Sequence, residues 1–122
     1  AIEVVQIHVA EVAGLYDEAL ALASHTPCDP KTLTRASGNL AEERPAFALG
    51  AGLLAIHWLV QGYAYEITGA DVWAAYSSAM KAAERNGNVS ETRERIRKLA
   101  ASRAGNFVAQ ILERELGLGI KG

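Results

Sequence analysis

A chain of 122 residues, half of them hydrophobic and 21% charged, holds enough apolar material for one core and too little polarity to stay disordered. Its formal charge of −2 offers no overall attraction to nucleic acid or to an anionic membrane. The single cysteine, Cys28, rules out an intrachain disulfide and a Cys-x-x-Cys metal site, and it points to a reducing, cytoplasmic setting.

The opening stretch AIEVVQIHVAEV lacks the basic leader and unbroken apolar core of a signal peptide, because Glu3 and His8 interrupt it. Residues 2 to about 24 are predicted as an amphipathic helix. Val5, Val9, Val12, Tyr16, Ala19 and Ala23 step by three or four and so share one stripe. The helix is expected to stop before Thr26-Pro27, since the residue before proline is pushed out of the helical region. Asp29-Pro30 then supplies an N-cap and a proline at the first helical position. The element that follows reaches about Glu43 with Gly38-Asn39 inside it, and reads as one helix or as two short turns.

Pro45 opens the next helix in the same manner. From Pro45 to Tyr65 there are 21 residues without a formal charge, a length that matches a bilayer. His57, Gln61 and the small residues Ala46/Gly50, Ala48/Gly52 and Ala51/Ala55, each pair four apart, instead predict a buried helix packed closely by neighbours. This central apolar helix is placed at about residues 45–66. Thr68-Gly69-Ala70-Asp71 has the capping-box form. It starts a helix carrying Trp73, Tyr76, Met80 and Ala83 on one side and ending at Asn86-Gly87. A last helix, capped by Ser90 or by Asn88 with Glu91, is predicted to run to about Leu116 on a stripe of Ile96, Leu99/Ala100, Ala104, Phe107 and Ile111. Gly117 is expected to stop it, leaving 117–122 as a flexible tail. No strand pattern, repeat or low-complexity tract occurs, so residues 1–122 form one all-α domain, a four- to five-helix bundle.

Little in the sequence carries chemistry. Di-iron bundles need Glu-x-x-His pairs on facing helices, and this chain has none. Cys28 lies in the loop TPCDP, where the adjacent Asp29 opposes a reactive thiolate. There is no Gly-x-Ser-x-Gly, no phosphate-binding glycine loop and no His-Glu-x-x-His. No catalytic residue, metal or cofactor is therefore expected.

Three sets of residues remain. Trp58, Tyr63, Tyr65, Trp73 and Tyr76 gather around one helix junction, either as a core corner or as an interface of the aromatic kind that dominates hot spots. The run ETRERIRKLAASR pairs Glu91 with Arg95 and Glu94 with Lys98 at i,i+4, the pattern of a solvated face. Arg93, Arg95, Arg97 and Lys98 are also placed to meet phosphates or an acidic partner. Arg103 joins them as a contact or, near the apolar stripe, pairs structurally with Glu66 or Asp71. The third candidate is His57, in the apolar segment AIHWLV.

From His57 onward the chain resembles the histidine-containing phosphotransfer family. The resemblance lies in His57-Trp58-Leu59, the following Gly62, Gly69-Ala70 and the turn Arg85-Asn86-Gly87-Asn88 before a long last helix. It implies a four-helix bundle with His57 as phosphate acceptor. The family's glycine stands four residues after the histidine, whereas Gly62 stands five after, and Val60 replaces the family's basic residue.

The expected function is a non-enzymatic helical interaction module: a homo-oligomer, an adaptor or a small subunit of a larger assembly. Two alternatives accompany it, a nucleic-acid-binding small subunit using helix 91–103 and a phosphotransfer bundle using His57. A protein partner or self-association is expected, and a membrane partner is not.

Overall fold

The computed structural model of the protein describes the backbone of residues 16–26, 28–63 and 66–121, and side chains over 20–26, 28–63 and 66–117. Six helices and no strands occur among them: α1 (Tyr16–His25), α2 (Pro30–Leu40), α3 (Pro45–Gln61), α4 (Gly69–Asn86), α5 (Val89–Ala101) and α6 (Phe107–Lys121). The expected all-α bundle is the fold. Residues 2–15 of the first predicted helix lie outside the described residues.

The helix starts follow local chemistry. Asp29 caps α2 by accepting from the Lys31 amide at 3.0 Å, with Pro30 at the first helical position. The following segment is one helix rather than two turns, and Ser37 on its inner face is fully buried. Thr68 and Asp71 form the reciprocal capping box of α4. Asn88 is the N-cap of α5, but its side chain accepts from the Asn86 amide instead of capping; its carbonyl takes the Thr92 hydroxyl at 2.9 Å.

α3 is the axis of the bundle: eleven of its seventeen residues are buried. It ends at Gln61, short of the predicted residue 66. Gly62 takes a left-handed φ of 86°, so its amide turns back to Leu59 O at 3.1 Å and that of Tyr63 to Trp58 O at 3.0 Å. The long uncharged stretch is thereby cut, and no helix among the described residues is long and apolar enough to cross a membrane.

α2 and α4 both run antiparallel to α3 and approach it closely. A methyl group on Gly52 would stand 2.9 Å from Ala79 Cα and 2.9 Å from Ser37 Oγ, so the small residues let three helices meet at one level. The buried side of α4 is accordingly Val72, Ala75, Ala79, Ala82 and Ala83. This corrects the predicted stripe: Trp73 is exposed and Tyr76 and Met80 half-buried, because the close approach to α3 admits only small side chains.

The predicted last helix is broken in two. After Ala101 the chain turns through residues 102–106, with Gly105 left-handed at φ 92°. Asn106 then caps α6, its side-chain oxygen accepting from the Ala109 amide at 2.7 Å. The stripe follows suit. Ile96 and Ala100 are buried on α5, but Ala104 and Phe107 are exposed, and α6 buries Val108, Ala109, Leu112 and Leu116 instead. α6 continues through Gly117 to Lys121, since Gly117 does not adopt the left-handed turn that ends α3 and α4.

Candidate functional site

Cross-helix bonds fix which helix ends meet. The Trp58 indole donates to Ala23 O of α1 at 2.9 Å, and Asn106 donates to Val60 O at 3.2 Å. Arg103 donates to Gln61 Oε1 at 2.8 Å. At the opposite end Arg85 of α4 pairs with Glu42 beyond α2 at 3.2 Å. The C-terminal ends of α1, α3 and α5 and the N-terminal ends of α2, α4 and α6 thus share one pole.

The four large hydrophobic side chains most exposed among the described residues all belong to this pole: Leu22 at 53%, Tyr63 at 55%, Trp73 at 54% and Phe107 at 52%. Leu22 is in the last turn of α1 and Tyr63 two residues past α3. Trp73 is the fifth residue of α4 and Phe107 the first of α6. Tyr63 is held edge-on against Trp58, ring centroids 5.1 Å apart at 87°, so it is ordered in spite of its exposure. Gln61, Arg103 and Asn106 give the pole a polar margin.

The predicted aromatic set is therefore divided. Trp58 is in the core with its N–H satisfied, whereas Tyr63 and Trp73 are on the surface. Tyr76 lies half-buried between α4, α5 and α6. Burial holds its phenol above the ordinary 10.0, the Arg93 guanidinium opposes that shift, and Glu115 adds to it. Tyr65 lies outside the described residues. Phe107 carries no separate sequence signal, because it sits on an apolar stripe that the turn at 102–106 interrupts, and Leu22 lies off the stripe predicted for the first helix.

The basic run is likewise dispersed. Arg93 turns inward with its Nε buried and without a hydrogen-bond partner. Arg97 pairs with Glu94 at 2.7 Å on the open surface, a contact of small energetic weight. Arg103 is exposed and bonded to Gln61 rather than to Glu66 or Asp71, because the turn at 102–106 takes it off the apolar stripe. Arg95 and Lys98, three residues apart on α5, share a face and line a groove of about 920 Å³ together with His57.

His57 is half-buried. Its ring meets Trp58 edge-on at 4.5 Å and forms part of the groove floor. Leu53 and Leu54 continue that floor, and Leu20 and Ser24 of α1 form the wall facing α5. A second, smaller cleft of about 250 Å³ lies between α2 and α4 beside Lys31, Arg35 and Asp71. No cluster of three or more metal-ligating side chains occurs among the described residues. No family model, curated protein or solved structure matches the chain.

Proposed function

We propose that this chain is a helical protein-interaction module that binds through the pole formed by Leu22, Tyr63, Trp73 and Phe107. The concentration at one end of the bundle of the four large hydrophobic side chains most exposed among the described residues carries the reading. Apolar residues scattered singly over a surface need no explanation, but a patch rimmed by polar groups marks a contact site. Aromatic anchors that are already ordered lose little side-chain entropy on binding, which suits Tyr63 on Trp58. Gln61, Arg103 and Asn106 supply the hydrogen-bonding rim such interfaces use.

The test is a Tyr63→Ser/Trp73→Ser/Phe107→Ser variant, compared with the wild type in light scattering and in affinity capture. The substitutions sit on exposed positions, so the thermal midpoint stays near the wild-type value while self-association or specific capture is lost. A wild-type chain that is monomeric and captures nothing the variant does not also capture refutes the reading.

A further inference from the structure

The groove between α1 and α5 is filled at its Pro45 end, where Leu20 packs onto Gly50 beside the buried Leu53. Its open part is the other end, around His57. α5 runs in the same sense as α3, and Arg103 meets Gln61 four residues beyond Leu99 and four beyond His57. An equal rise per residue sets Lys98 and Leu99 level with His57, with Arg95 one turn behind. Leu54 and Leu99, both half-buried, line the groove beside the imidazole.

The charges at this end are of one sign. Glu91 and Glu94 stand four residues before Arg95 and Lys98, the spacing of favourable pairs, but neither pair forms. Glu94 turns to Arg97 instead, at 2.7 Å. Arg95 and Lys98 are exposed and, among the described residues, have no hydrogen-bond or ion-pair partner. His57 has no hydrogen-bond partner among them either; its ring makes the edge-on contact with Trp58. No carboxylate among the described residues lines the groove, and the Ser24 hydroxyl is spent on Ala21 O at 2.7 Å. Three nitrogen-bearing side chains thus face the opening without a counter-charge. Two permanent cations match the two charges of a phosphate monoester, whereas a carboxylate balances one. The guanidinium offers phosphate oxygens a planar fork and the ammonium a point charge. Leu54 and Leu99 give the attached organic body an apolar seat, and the groove volume of about 920 Å³ is that of pockets for small organic molecules.

We infer that the His57 end of this groove binds a phosphate monoester of a small apolar or aromatic molecule, Arg95 and Lys98 holding the phosphate and the His57 ring hydrogen-bonding to it. The binding is non-covalent and does not depend on the pole. Phenyl phosphate is the probe, added to the full chain labelled with nitrogen-15 and carbon-13 and followed by NMR. Saturable shifts are expected at the His57 ring and at the Arg95, Lys98 and Leu99 amides, with a dissociation constant below about 1 mM. Arg95→Gln/Lys98→Gln weakens binding about tenfold or more at an unchanged melting midpoint. Lys81→Gln/Arg114→Gln, which removes the same charge from exposed positions outside the groove, leaves it unchanged. Benzoate is expected to bind several-fold more weakly than phenyl phosphate. Inorganic phosphate binding as tightly as phenyl phosphate, or equal losses in the two double variants, means an adventitious ion only and overturns the site. An absence of saturable shifts up to about 10 mM, an unperturbed His57 ring, or benzoate binding as tightly as phenyl phosphate each overturns it as well.

Discussion

Replacing Gly52 with alanine adds one methyl group at the level where α2, α3 and α4 meet. The new Cβ would lie 2.9 Å from Ala79 Cα, 2.9 Å from Ser37 Oγ and 3.0 Å from Ala79 Cβ. None of these atoms ends a flexible side chain. Two belong to the α4 backbone and its first carbon, and the buried Ser37 hydroxyl is held by its 2.7 Å bond to Ala48 O. Helix propensity favours alanine over glycine by about 1 kcal/mol. Forcing a methyl group into a filled site costs about 1–3 kcal/mol, and two rigid neighbours put Gly52 near the upper end. The expected outcome is a net loss of about 1–2 kcal/mol, opposite in sign to propensity. Gly38 on the exposed side of α2 is the control: a Cβ there meets only Ser78 Oγ, at an ordinary 3.7 Å. Gly38→Ala is expected to stabilise by up to about 1 kcal/mol. Urea unfolding at constant slope reads both. In a double-mutant cycle, Ala79→Gly couples to Gly52→Ala by about 0.5 kcal/mol or more, since it removes one of the clashing atoms. A Gly52→Ala protein as stable as the wild type would refute the three-helix contact as the reason for the glycine.

Asn106 holds two structures together, capping α6 through Ala109 N and bonding to Val60 O of α3. Asn106→Ala is expected to lose about 1–2 kcal/mol in denaturant unfolding and to speed amide exchange in the first turn of α6. Asn106→Asp, which keeps the cap acceptor but loses the donor, falls between; equal loss in both variants argues against the capping role. The Asp71 carboxyl is held below its ordinary 3.8, first by the Thr68 backbone N–H. A folded-state value below the unfolded one means that the unfolded chain binds more protons as the pH falls through this range. The stabilisation is therefore present above about pH 4 and is lost below it, as the pH falls through the lowered folded value. Asp71→Asn is expected to flatten the stability profile below about pH 4, and an acid limb identical to the wild type would count against it.

The features legible in the amino-acid sequence were local ones. Asp29-Pro30, Thr68 with Asp71, and Asn86-Gly87 act within a few residues of themselves, and each delimits a helix as its chemistry requires. The charge-free run after Pro45 likewise specified a core helix, because a helix apolar on every side has to be surrounded. Which faces meet was set by packing between helices. A stripe through Trp73, Tyr76 and Met80 and one through Ile96 and Ala100 look equally apolar in sequence, yet the first lies at the flank of α4 because Gly52 and Ala79 bring the backbones too close for large side chains. Gly105-Asn106 turns the chain inside the predicted last helix, at a point the apolar periodicity on either side runs straight through. Once the chain breaks at that point, Phe107 leaves the core and Arg103 comes to Gln61. The same break frees α5 to place Arg95 and Lys98 opposite α1, a juxtaposition of residues far apart in the chain that no local spacing encodes.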